Sequence, residues 1–226
     1  MKYKILNLYA CLGGNRYKWN QVADEAKVEI EVTAVELDEE LAKLYQERFP
    51  NDIVVVADAH QYLLEHYQEF DFIWTSPPCP THSTTNYFLN AQGVVRYPDM
   101  KLYEEIILLD NFYKGKYVVE NVVPYYEPLI QANKRGRHLY WTNFKLPNIL
   151  SNRIPPNMNC NKNISKKVVD DFTKYHLLQD ILSKYNGKQS KGKIARNLVD
   201  YEAGKTILET ALGIIKDNNK EQIKLF

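Results

Sequence analysis

Along the first two thirds of the chain, apolar residues come in short dense runs separated by more polar stretches. Residues 3–9 (YKILNLY), 30–36 (IEVTAVE), 53–57, 71–75 (FDFIW), 116–122 (KYVVENV) and 137–144 (RHLYWTNF) are rich in β-branched and aromatic residues and read as strands. Between them, apolar residues recur at helical spacing. One helix is predicted from the Gly13-Gly14 turn to about Lys27. Another is capped by Asp38 and carries Leu41, Leu44, Tyr45 and Phe49. A third spans about 99–113, with Leu102, Ile106 and Leu109 on one face. This alternation predicts an α/β fold, a mostly parallel, doubly wound sheet with helices on both faces. Right-handed crossovers then gather the strand-to-helix loops at one sheet edge, where ligands bind.

The pattern changes after about Lys145. Residues 147–165 are rich in Pro, Asn and Ser, 168–184 read as a helix, and 186–193 as a Gly/Lys/Ser loop. Ala203, Ile207, Leu208, Ala211, Leu212 and Ile215 predict an apolar helix face over 201–215, ahead of a polar tail. The chain thus divides into an α/β unit over 1–144, a short region over 145–193 and a returning segment over 194–226. Segment 76–98 holds four prolines, reads as irregular, and is suited over 81–98 to act as a closing lid.

Composition narrows the classes. With 226 residues, 45% hydrophobic and 25% charged, the chain is globular, not disordered. No apolar run approaches the ~18 residues of a membrane helix, and the N-terminus has no secretory pattern. Three widely spaced cysteines, Cys11, Cys79 and Cys160, argue against a disulfide framework and against a zinc site. The expectation is a reduced, cytoplasmic, metal-free protein without membrane contact. Charge is asymmetric. Residues 1–144 carry 14 basic and 20 acidic side chains, whereas 145–226 carry 15 and 8. Within 134–196 there are 14 basic and 3 acidic residues, a block that can complement phosphates or simply be a solvated face.

Four constellations carry candidate chemistry. Asn7 to Gly14 ends a strand in a glycine turn, which lets backbone approach a cofactor. Glu36, 22 residues past Gly14, ends the next strand and can accept both ribose hydroxyls. Asp58 ends the third strand and could accept from an adenine amino group. With no P-loop present, these groups suit a nucleoside cofactor lacking a pyrophosphate, which points to S-adenosyl-L-methionine. The second constellation is Ser76-Pro77-Pro78-Cys79-Pro80-Thr81-His82-Ser83, a proline-fixed loop holding one intrinsically nucleophilic cysteine. For an isolated cysteine, a small buried role in the turn is the better reading; His82 is the candidate to depress the thiol pKa. The third is Val118-Val119-Glu120-Asn121-Val122, where a carboxyl at a buried strand end can be desolvated. The fourth is Arg135-Gly136-Arg137, two guanidinium groups on one face of a strand.

Taken together and in this order, the set resembles the DNA (cytosine-5) methyltransferase family. Residues 7–14 look like its cofactor loop, Glu36 and Asp58 like its ribose and adenine acceptors, and Pro77-Pro78-Cys79 with Ser83 like its catalytic motif. Glu120-Asn121-Val122, Arg135-x-Arg137 and Asn197-Leu198-Val199 match further motifs. The departures are Tyr9 for phenylalanine, Cys11 for glycine, Leu37 for tryptophan, Pro80 for glutamine, Asn133 for glutamine and Arg196 for glycine. The resemblance implies a Rossmann-like class I methyltransferase fold with a small target-recognition insertion. It implies Cys79, Glu120, Arg135 and Arg137 as catalytic residues. Tyr9, Ala10, Cys11, Leu12, Gly13 and Gly14 would hold S-adenosyl-L-methionine, with Glu36, Leu37, Asp58 and Ala59. Pro78, Asn197 and Val199 would complete that site, and Ser83 would meet the DNA.

The implied partner is double-stranded DNA, bound by a monomer. The short 145–193 region leaves room for few base contacts, so a relaxed target or a helper subunit is expected. The same chemistry on tRNA stays open. An amino-methyltransferase acting on adenine N6 or cytosine N4 is disfavoured by Cys79 and Glu120. An inactive DNA- or cofactor-binding module is disfavoured because both residues are present.

Overall fold

The computed structural model describes residues 2–153 and 166–215. The Pro/Asn-rich stretch over 154–165, with Cys160, and the polar tail over 216–226 lie outside the described residues.

Seven strands form one sheet: β1 (Tyr3–Leu8), β2 (Ile30–Glu36), β3 (Ile53–Val56), β4 (Phe72–Thr75), β5 (Lys116–Val122), β6 (Asn133–Arg135) and β7 (His138–Thr142). Their order is β3-β2-β1-β4-β5-β7-β6. The five strands from β3 to β5 run parallel, and β7 is antiparallel to both neighbours. The fold is therefore the mostly parallel, doubly wound, Rossmann-like sheet that the apolar runs predict.

Side-chain alternation explains the two covered faces. Ile5, Val32, Phe72, Trp74 and Val118 face one way and pack on α1 (Trp19–Ala26) and α9 (Tyr201–Ala211). Leu6, Leu8, Val35, Ile73 and Val119 face the other way, onto α3 (Ala59–His66) and α5 (Lys101–Phe112). Helix α2 (Glu39–Arg48) begins at Asp38, whose side chain accepts from the amides of Glu40 and Leu41. Strand order reverses between β1 and β4, which makes their C-terminal ends the expected ligand crevice.

Several local expectations change. Segment 76–98 is not wholly irregular, because α4 (Asn86–Ala91) forms within it. The helix expected over 168–184 is two, α6 (Lys166–Tyr175) and α7 (Gln179–Ser183), divided where Leu177 turns left-handed at φ 58°. The loop expected over 186–193 ends early in α8 (Lys191–Arg196), because the Ser190 side chain caps the Lys193 amide at 3.2 Å. Helices α7 and α8 pack against the turn that follows β1. Leu178, Leu182, Ile194 and Leu198 share a buried cluster with Cys11, Leu12, Leu41 and Leu44.

Candidate active site

After β1 the chain turns sharply, with φ of 54° at Tyr9, 48° at Cys11 and 66° at Gly13. Left-handed backbone is unfavourable for residues with a Cβ, so the two non-glycine positions need external support. Glu36 provides it at Cys11, whose amide donates to one carboxylate oxygen at 2.8 Å while that of Asp38 donates to the other at 2.9 Å. Burial raises the Glu36 carboxyl, and these amides work against that shift. Two glycines let the loop pack tightly. A Cβ on Gly13 would lie 2.4 Å from the Phe49 ring, and one on Gly14 would lie 2.4 Å from the Val199 carbonyl oxygen. The loop is thereby clamped between the end of α2 and the Asn197-Leu198-Val199 segment.

The Ser76-Pro77-Pro78-Cys79 loop leaves β4 at Thr75. The Cys79 carbonyl accepts from the amides of His82 and Ser83, both at 3.0 Å, which closes a tight turn. Asn121 donates to the Pro77 carbonyl and Asn86 to that of Pro80. Cys79 is half-buried; burial pushes its thiol up, the nearby Glu120 carboxylate adds to this, and Arg196 and Lys193 oppose it. His82 does not activate it. Its ring is buried, Nδ1 pairs with the Tyr126 hydroxyl at 2.6 Å, and burial lowers its pKa. A neutral ring engaged with Tyr126 supplies no positive charge to the thiol.

Glu120 lies buried on β5, with His138 Nε2 3.6 Å from its carboxylate. The antiparallel β5–β7 register sets His138 opposite Val122, on the same sheet face as Glu120. The arginine pair is elsewhere. Arg135 donates to the carbonyls of Lys134, Leu146 and Pro147, and Arg137 is exposed just beyond the Gly136 turn. Neither borders the central cavity.

That cavity, about 1100 Å³, is bordered by Pro78, Cys79 and Glu120, and also by Glu36, Leu37, Asp58 and Ala59. Tyr9, Cys11, Asn197 and Val199 line it too. Ala10 and Gly14 instead border a small adjoining space, while Leu12 is buried behind the loop. Asp58 caps α3 through the Gln61 amide at 3.0 Å, which holds its carboxyl below the ordinary range. Ser83 lies off the cavity, where its hydroxyl oxygen accepts from Thr85.

The donor set suits a nucleoside sulfonium. Glu36 and Asp58 supply acceptors at adjacent strand ends, and the loop glycines bring backbone close, where a side chain would obstruct it. The volume, about 1100 Å³, slightly exceeds the ~300–1000 Å³ usual for one small-molecule site, leaving room for a base beside Cys79. Sequence reasoning missed His138, Lys193 and Arg196 on the wall. Lys193 was visible only as part of a basic block and Arg196 also as a departure from the family's glycine, although their i,i+3 spacing on α8 sets them on one face.

The family model for C-5 cytosine-specific DNA methylases matches residues 3–126. Among curated proteins, none matches the sequence. Among solved structures, the Entamoeba histolytica methyltransferase EhMeth gives a TM-score of 0.50 at 10% identity, over 96% of this chain and all of its own. A Spodoptera frugiperda DNMT2 variant gives 0.49 at 13% identity, over 94% of this chain and all of its own. At such identity the likeness to EhMeth is one of fold.

Proposed function

The chain belongs to the C-5 cytosine-specific DNA methylase family, and from that premise we propose that it methylates C5 of cytosine in DNA through a transient bond from Cys79 to C6. The observation that carries the reading is that Cys79 and Glu120 border the same cavity as Glu36 and Asp58. A nucleophile and a base-binding carboxyl thus share one space with cofactor-type acceptors.

Cytosine C5 is a weak nucleophile, and a thiolate changes that. Cys79 loses its proton and its Sγ bonds to C6, which leaves C5 electron-rich. S-adenosyl-L-methionine, when bound, would supply an electrophilic methyl group. Glu120 hydrogen-bonds the N3 and amino edge of the ring and stabilises the charge that develops there. C5 would take the methyl group as its bond to the sulfonium sulfur breaks and S-adenosylhomocysteine departs; the C5 proton then leaves to solvent, and the C6–S bond breaks to return the thiolate. His138 steadies Glu120 in this reading, with Arg196 and Lys193 favouring the thiolate. C6 is inaccessible in a stacked duplex, so the target base is flipped out at a cost of a few kcal/mol.

The test is a duplex containing 5-fluorocytosine, incubated with the protein and cofactor. Fluorine cannot leave C5 as a proton does, so the adduct persists. A denaturant-stable adduct is expected with the wild type and none with Cys79→Ser. An adduct on RNA alone moves the substrate to RNA. No adduct on either nucleic acid overturns the covalent reading.

A further inference from the structure

Behind the cavity, a fully buried carboxylate joins three segments that come from different parts of the sequence. Glu105, on α5, is 0% exposed. Its Oε1 accepts the Tyr9 hydroxyl at 2.6 Å and lies 3.1 Å from His60 Nδ1; its Oε2 accepts the Thr75 hydroxyl at 2.6 Å. Glu104 approaches the far side of the same imidazole, 3.4 Å from Nε2. Each partner adjoins a cavity-lining feature. Tyr9 belongs to the cofactor loop and holds a left-handed backbone. His60 directly follows Ala59 in the first turn of α3, which Asp58 caps. Thr75 is the last residue before the Ser76-Pro77-Pro78-Cys79 loop.

We propose that Glu105 is a positioning residue that sets the cofactor loop and the nucleophile loop in fixed relation, through separate hydrogen bonds to Tyr9 and Thr75. The inference rests on the reading of the cavity as a site for S-adenosyl-L-methionine and a target base. A buried carboxylate costs several kcal/mol to desolvate unless its lone pairs are filled. Partners from three segments meet them, Tyr9 and His60 at Oε1 and Thr75 at Oε2, so moving a partner leaves a lone pair unfilled. The Tyr9 hydroxyl is the informative part. Phenylalanine, usual in the resembling family, makes the same packing contact without that bond. In this chain the hydroxyl adds a strut that keeps a strained residue seated against α5. Methyl transfer requires the methyl donor and C5 in a near-attack arrangement, where a misplacement of about 1 Å costs on the order of a hundredfold in rate. One brace shared by both loops holds that distance.

The two struts are separable by experiment. Tyr9→Phe removes only the cofactor-side bond, and Thr75→Val only the nucleophile-side bond; Glu105→Gln weakens both. Calorimetry gives the dissociation constant for S-adenosylhomocysteine. Peptide mass spectrometry after timed iodoacetamide treatment gives the alkylation rate at Cys79. We expect Tyr9→Phe to weaken cofactor binding about fivefold, the scale of one ordinary net hydrogen bond, and to leave the alkylation rate as it was. Thr75→Val should change the alkylation rate several-fold and leave cofactor affinity within about twofold. Glu105→Gln should move both readouts. If it fails to fold, the two single-strut variants decide alone. A loss of melting temperature with neither readout moved overturns the proposal, and so does movement of both readouts by each single variant. If the wild type does not bind S-adenosylhomocysteine, the cofactor reading itself fails and the brace falls with it. If the wild type binds and the variants do not separate, only the brace fails.

Discussion

Asn121 donates its side-chain amide to the Pro77 carbonyl at 3.0 Å, from a position only 2% exposed. One residue from Glu120 and two from Cys79, this bond ties β5 to the Pro77-Pro78-Cys79 loop. Asn121→Ala strands a buried carbonyl and releases the loop. The expected cost is about 1–3 kcal/mol of stability. The single-turnover rate should fall about 10- to 100-fold, with little change in S-adenosylhomocysteine affinity. Rapid-quench kinetics beside calorimetry tests this; equal losses in both would assign Asn121 to the fold as a whole.

The Cys79 thiol is pushed up by burial first and by Glu120 second. A raised thiol pKa means that the thiolate fraction grows with pH beyond the ordinary thiol range. Alkylation of Cys79 should still be climbing above pH ~8.5. Arg196→Gln removes an opposing charge and should shift the profile to higher pH, slowing alkylation at pH 7. Glu120→Gln should shift it lower. Unmoved midpoints in both variants would show that neither charge reaches the sulfur.

Gly14 has no room for a side chain. A Cβ there would meet the Val199 oxygen at 2.4 Å and its nitrogen at 3.1 Å, both backbone atoms that cannot swing aside. Gly14→Ala should cost about 1–3 kcal/mol through overpacking. It should also weaken cofactor binding, since Val199 lines the cavity. A thermal melt and a cofactor titration measure the two effects, and an unchanged dissociation constant would detach this contact from the site.

Arg16 and Asp52 form a buried two-pronged ion pair, at 2.9 and 2.8 Å, with the Tyr45 hydroxyl donating to Asp52 at 2.9 Å. Removing one partner strands the other charge. Asp52→Leu should cost about 3–5 kcal/mol, read as a fall of roughly 2–4 °C in Tm per kcal/mol for a domain of this size. Adding Arg16→Met should recover much of that loss. A double variant no more stable than the single would place the energy in packing.

The sequence exposes what local chemistry places and hides what long-range packing places. Glu36 and Glu120 stand where buried apolar runs end, so their location at the sheet edge follows from the runs themselves. His138 reaches Glu120 only through the β5–β7 register, which no short stretch of sequence specifies. Arg135 and Arg137 lie around a Gly136 turn with φ of 59°, and the first is drawn to the carbonyls of Leu146 and Pro147. The break at Leu177 carries no glycine or proline signal, so the apolar period runs through it unmarked. Lys193 and Arg196 reach the cavity because α8 docks through Ile194 and Ala195, a tertiary event.

The buried cluster that joins Leu178, Leu182, Ile194 and Leu198 to Cys11 and Leu12 bears on how this enzyme could change its target over evolution. A recognition module hung on a linker can be exchanged like a cassette, because its removal exposes little apolar surface. Here the segments of α7 and α8 help form the floor under the loop after β1, so grafting a foreign region in their place would uncover Leu12 and Leu41. Under the proposed function, new specificity is therefore expected to come from point substitutions and loop growth at sites that leave this seam intact.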